Sequence, residues 1–195
     1  MITLILDLLE RKFMAKIEKD RKSCKDVYKS YLVEDAYFDG LYEIPTIKGI
    51  KYIEFNNLVL FSDRNINQQK EDIICFYEDD YKINSFWNSP KKYISILSQY
   101  GGVITPDYSL YRDMPLIMQM WNIYRSRALG YWLQNNGIRV IPNIRFSDER
   151  TYDIACAGID KRSTIALSTH GLMKIKKEKE IFKAGLEYII DKLTP

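Results

Sequence analysis

Four short apolar runs constrain the fold more than anything else in this chain. They are IICFY at 73–77, GVIT at 102–105, IRVIP at 138–142 and TIALS at 164–168, and their starts lie 29, 36 and 26 residues apart. Each interval holds a stretch of helical periodicity long enough for a crossover, and repeated strand–helix units of this length build parallel sheets. The runs are apolar at successive positions rather than at alternate ones, as strands covered on both faces require. The fold class is therefore α/β: repeated strand–helix units forming a mainly parallel sheet, either open or a partial barrel. An antiparallel neighbour between any successive pair would break this reading.

Punctuation supports it. Pro90 restarts a helix at a first-turn position, Pro115 opens a long helix closed by Gly137, and DERTYDIACAG reads as a helix ending at Gly158. A last helix runs from about Lys174 to Leu193, with Phe182, Leu186, Ile189 and Leu193 as its apolar stripe. Earlier in the chain, KYIEF and NLVLF around 51–61 read as short strands, and 31–50 reads as irregular. Leu4, Leu8, Phe13, Ile17 and Val27 recur at roughly helical spacing, so residues 1–30 are expected to form an N-terminal helical extension. At 195 residues one core is the default, and 31–195 is assigned to a single α/β domain.

Charge and cysteine usage exclude several classes. The net charge of +3 divides into +3 for residues 1–30, −4 for the middle and +4 for 161–195, so there is no concentrated basic stripe of a dedicated DNA-binding domain. Cys24, Cys75 and Cys156 form no C-x-x-C pair, which fits a reducing compartment; Cys75 and Cys156 read as core residues. The apolar opening at 2–9 is interrupted by Asp7 and lacks a basic region before it. It is too short to span a membrane and is not laid out as a secretion signal. The expectation is a cytoplasmic protein without a membrane partner.

Ligands of parallel α/β folds sit beyond the carboxyl ends of the strands. That rule selects the loops carrying Glu78, Asp79 and Asp80, then Asp107, Ser109, Arg112 and Asp113, then Asn143, Arg145, Asp148, Glu149 and Arg150, and finally Ser168, Thr169 and His170. His170, the only imidazole, and Asp107 are the acid/base candidates. Arg112, Arg145 and Arg150, with Ser109 and Asn143, are the candidates for holding phosphate or another ligand. Asp148 also has a plain use as a helix N-cap. In the long helix, Met118, Trp121, Arg125, Leu129 and Trp132 fall along one apolar face, so Arg125 calls for a partner such as Asp107 or Asp113 in a structural ion pair. Arg127 falls on another face and reads as solvated. No metal cofactor is called for, although Asp79, Asp80 and Asp148 would suit magnesium if they converged. Nucleotide and catalytic-elbow motifs are missing.

The segments GGVITPDYSLYRDMP, YRSRALGYWLQNNGIRVIPNIRFSDERTY and STIALSTHG, with YLVEDAYFDGLYEIP before them, resemble an uncharacterised family. That family carries a domain-of-unknown-function label and is associated with bacterial phages, plasmids and integrative elements. The likeness covers about residues 31–195. Phe146 and Ser147 stand where the family usually has Trp-Gly. The resemblance also implies a further apolar strand beyond the last helix, where this chain has Thr194 and Pro195. An edge at TIALS would then need cover from the N-terminal helix, a symmetric dimer or a partner.

Two functional expectations follow. The first is a mobile-element protein binding or processing a phosphorylated ligand, nucleotide or nucleic acid. The second is a non-enzymatic inhibitor of a host defence protein, of the anti-CRISPR kind. Turnover separates the first from the second, which forms a stoichiometric complex.

Overall fold

The computed structural model describes residues 13–14, 25–66, 69–169 and 176–195. Its centre is a four-stranded sheet of β4 (Leu58–Leu60), β5 (Ile73–Cys75), β6 (Gly102–Ile104) and β7 (Val140–Ile141), adjacent in chain order and all parallel. The strand–helix repeat is therefore present, and the barrel is not closed. NLVLF supplies β4, whereas KYIEF makes no strand.

The fourth run of the repeat departs from expectation. TIALS joins the sheet through a single parallel bridge, with Ala166 N–H donating to Pro142 O and Ile144 N–H to Ala166 O. Thr164 is drawn away, because its N–H donates to Ile50 O and its hydroxyl to Lys51 O. Among the described residues, TIALS therefore extends the sheet by one bridge rather than as a full strand.

Alternation along the strands explains their apolar character. Ile74, Phe76, Val103 and Val140 face one core with Phe86, Leu97, Leu129 and Leu133. Ile73, Cys75, Ile104 and Ile141 face a second, smaller core closed by Ile53. The first core is built from α1 (Asp80–Asn88), α2 (Ile94–Leu97) and α3 (Leu116–Asn135). A third core joins α3 to α4 (Glu149–Cys156) and α5 (Lys176–Leu193) through Ile123, Ile154, Phe182 and Ile189. Cys75 and Cys156 are buried thiols, and burial pushes Cys156 up to about 11. Among the described residues, no helix is long and apolar enough to cross a membrane.

Residues 31–50 are more ordered than their sequence suggests. β2 (Tyr37–Asp39) and β3 (Ile44–Pro45) form a hairpin, and β1 (Phe13–Met14) adds to it in antiparallel register. Pro45 is tolerated because β3 is an edge strand. The helix expected over the first thirty residues falls mostly outside the described residues. Where the segment is described, 13–14 are strand and 25–29 contain a turn.

Candidate functional site

The residues just beyond the ends of β5, β6 and β7 are Tyr77, Asp107 and Asn143. Asn143 Nδ2 donates to Asp107 Oδ1 at 2.7 Å, and Tyr77 OH donates to Asn143 Oδ1 at 3.3 Å. Arg145 Nη1 reaches Asp107 Oδ2 at 3.2 Å. Asp107 and Asn143 are buried, while the Arg145 side chain stays 20% exposed. Burial, with Asp107 nearby, pushes the Tyr77 phenol well up, so it remains a donor and fixes the orientation of the Asn143 amide. Three of the predicted residues, Asp107, Asn143 and Arg145, thus form one hydrogen-bonded array with Tyr77 at the carboxyl edge of the sheet.

The other candidates are arranged differently. Ser109 donates through its N–H and hydroxyl to Asp80, at 3.1 and 2.9 Å. Arg112 pairs with Glu178 of α5. Arg150 donates to both oxygens of Asp148, at 3.0 and 2.8 Å, and to the Arg112 carbonyl. Arg112 and Arg150 are therefore neighbours with carboxylate partners. The groove of about 410 Å³ beside Arg150 is also lined by Asp148, Glu149 and Glu180. His170 lies outside the described residues. Asp80 and Asp148 are committed to Ser109 and Arg150, Asp79 is exposed, and no group of three metal-binding side chains converges among the described residues.

Asp148 does cap α4. It accepts from Arg150 N–H at 3.1 Å, and Thr151 closes the box from the other side. The Arg150 guanidinium and N–H hold the Asp148 carboxyl below the usual carboxylate range, against the effect of burial. Its stabilising contribution is accordingly present above that range and lost as pH falls through the lowered value. Asp148→Ala is expected to cost about 1 kcal/mol at pH 7. Urea titrations should show the gap between variant and parent starting to narrow as pH falls below about 4, the ordinary carboxylate value, and closing only below the lowered one.

Helix α3 corrects two expectations. Met118 and Trp121 are half-exposed, at 52% and 41%, so the first half of the helix does not bury the apolar face assigned to it. It buries Gln119, Asn122, Ser126 and Arg127 instead. These polar groups serve the loops at the strand ends. Asn122 Nδ2 donates to Ser109 O at 2.7 Å, Ser126 Oγ to Pro106 O at 2.8 Å, and Gln119 Nε2 to Met114 O at 2.9 Å. Arg127, expected in solvent, is 1% exposed. It donates to Asn143 O at 2.8 Å, Ala155 O at 2.7 Å and Ala157 O at 3.1 Å. Two of these carbonyls belong to the end of α4, where a cation meets the negative pole of the helix. Burial lowers its pKa to about 10. The signal that could have found Arg127 is the run of polar residues at 119, 122, 126 and 127, at helical spacing inside an otherwise largely apolar stretch of helix.

Arg125 also takes partners other than Asp113. It lies 3.9 Å over the Tyr108 ring and donates to Asn122 Oδ1 at 2.6 Å, while Asp113 is exposed. No ion pair joins Arg125 to Asp113 among the described residues. The ring face and the nearby Asp80 supply the compensation that the ion pair was expected to give.

Residues 36–195 match the model of a family described as a domain of unknown function, DUF4417. The chain is similar to the "Gene 1 protein" of Mycobacterium phage D29, with 32% identity over 160 residues, covering 79% of this chain and 58% of that protein. It is also similar to the "Gene 1 protein" of Mycobacterium phage L5, with 39% identity over 120 residues, covering 62% and 52%. The chain thus spans a little over half the length of these curated relatives. No solved structure matches it. The sheet-edge array of Tyr77, Asp107, Asn143 and Arg145 lies within the matched residues, and the chain belongs to this phage-associated family, DUF4417.

Proposed function

We propose that this protein is a phage-type protein that binds a phosphorylated small ligand or nucleotide at the carboxyl edge of its sheet. One observation carries the reading: Asp107, Asn143 and Arg145 converge with Tyr77 from the ends of three successive strands. Burying polar and charged side chains has a desolvation cost, and such groups concentrate where function requires them. Arg145 is held by Asp107 through Nη1, and with Nε buried it is the other terminal nitrogen of the planar fork that suits a phosphate oxygen. Its partial exposure gives a ligand access from the open side. Inside the fold the adjoining cavity, about 10 Å³, is only the size of a water molecule. Asp107 and His170 are the groups that would handle a proton if the ligand is processed. Arg112 and Arg150, already paired to carboxylates, contribute as supports of the neighbouring loops.

The test is calorimetric titration of the full chain with inorganic phosphate, with AMP and with a short single-stranded DNA. Binding of at least one is expected, weakened by about tenfold to a hundredfold in Arg145→Gln, the effect of one charge-assisted contact. Unchanged affinity in that variant, or no heat with any of the three probes, would overturn the proposal.

A further inference from the structure

A second surface lies away from the sheet edge. A groove of about 440 Å³ runs between α3 and the turn joining β2 to β3, lined by Tyr42, Ile44, Ile117, Met120, Trp121 and Tyr124, with no charged side chain lining it among the described residues. The helix contributes its residues at i, i+3, i+4 and i+7, the spacing that receives another apolar helix. Ile117 is 70% exposed and Leu41, beside the groove on the turn, 79%. Contiguous apolar surface of this kind marks an interaction site.

The backbone register indicates what reaches it. Phe13 pairs with Phe38 and Met14 with Tyr37, antiparallel, so the chain entering β1 comes from the side of Asp39 and the 40–43 turn. Asp39 pairs in turn with Ile44, which lines the groove. Two strand spacings, about 10 Å, separate that entering chain from Ile44. Three residues ahead of β1 the sequence reads ITLILDLL, at 2–9. In it Ile2, Ile5, Leu6 and Leu9 repeat the same i, i+3, i+4, i+7 spacing, with Asp7 off that stripe. As a helix, eight residues would extend about 12 Å, enough to follow the lining residues of α3.

We infer that residues 2–9 of this same chain dock as an apolar helix in the groove between α3 and the β2–β3 turn. Tethering favours this occupant over a second copy or another protein. A segment joined to β1 by three residues acts at an effective concentration in the millimolar range, far above that of a free partner. The groove is built from residues within the family match, which begins at 36, whereas the segment lies outside it. The segment before the family domain thus covers the domain's apolar face.

The experiment uses the full chain with Cys24→Ser, into which Ile5→Cys and Ile117→Cys are introduced together. Treatment with a short bismaleimide is expected to give an intramolecular product in most molecules. A control pair, Ile5→Cys with Ile190→Cys on an exposed position of α5, is expected to give at least tenfold less. A product that is mainly dimeric, or equal yields from the two pairs, would overturn the inference. A second measurement removes residues 2–9. Fluorescence of the dye ANS is expected to rise several-fold, and peptide 1–12 added in trans is expected to reverse the rise. Unchanged dye binding on removal of the segment would also overturn it. Neither measurement depends on ligand binding at the sheet edge.

Discussion

Replacing Arg127 with methionine is expected to lower the unfolding free energy by about 3–5 kcal/mol, the range for disrupting a buried charged network. Methionine preserves much of the side-chain volume, so the change isolates the hydrogen bonds rather than creating a large cavity. What it leaves behind are the carbonyls of Asn143, Ala155 and Ala157 without their common donor. Each buried, unsatisfied carbonyl costs about 1–3 kcal/mol. Relief from burying the guanidinium offsets part of that sum, which is why the expectation lies below the simple total. Lysine should not rescue the protein, because an ammonium cannot present the planar fork that reaches three diverging carbonyls. Urea denaturation of the parent, Arg127→Met and Arg127→Lys would measure both points. A loss below about 1 kcal/mol in Arg127→Met, the worth of one ordinary hydrogen bond, would show that the three carbonyls find other partners. Because Asn143 is one of the anchored residues, the same variant is also expected to weaken whatever binds at the sheet edge.

Gly158→Ala should be nearly as damaging, with an expected loss of about 2–4 kcal/mol from backbone strain and overpacking. The backbone at Gly158 has a φ of +72°, in the left-handed region where a side chain is strained. A methyl group there would sit 2.4 Å from Pro45 O, and a backbone oxygen cannot rotate out of the way. The position is also a junction. Gly158 N–H donates to Asp39 Oδ2 at 2.9 Å, and its carbonyl accepts from Ile47 N–H at 2.8 Å. These bonds fasten the small antiparallel sheet to the end of α4. Gly137 has a similar φ of +77° but open space around it, so Gly137→Ala provides the comparison. It is expected to cost about 1 kcal/mol, the conformational part alone. Equal losses in the two variants would show that the contact with Pro45 contributes nothing.

The contrast between those glycines shows what could be read from sequence and what could not. Both were legible as helix terminators, since that is a property of the local backbone. The close approach of Pro45 to Gly158 joins residues 113 positions apart and has no local signature. Of the candidate site, Asp107, Asn143 and Arg145 were legible because strand periodicity places loop residues at the carboxyl edge whatever else the chain does. Which carboxylate each arginine would meet was not. Arg125 was expected against an acid and lies on the face of Tyr108, while Arg112 found Glu178 on a helix 60 residues or more downstream.

Local patterning set the period of the parallel sheet, the helix boundaries at Pro115 and Gly158, and the edge at which polar residues collect. Each is a short-range property, set by the alternation of side chains along a strand or by the φ angles that proline and glycine permit. Long-range contacts settled which face the first half of α3 buries, while Leu129 and Trp132 in its second half are buried as their spacing suggests. Periodicity favoured Met118 and Trp121, but the unsatisfied carbonyls of the strand-end loops needed donors, and Asn122, Ser126 and Arg127 supply them. An unpaired carbonyl in a core costs about as much as exposing a large apolar side chain. The helix therefore turned its polar residues inward and left Ile117, Met118 and Trp121 facing outward.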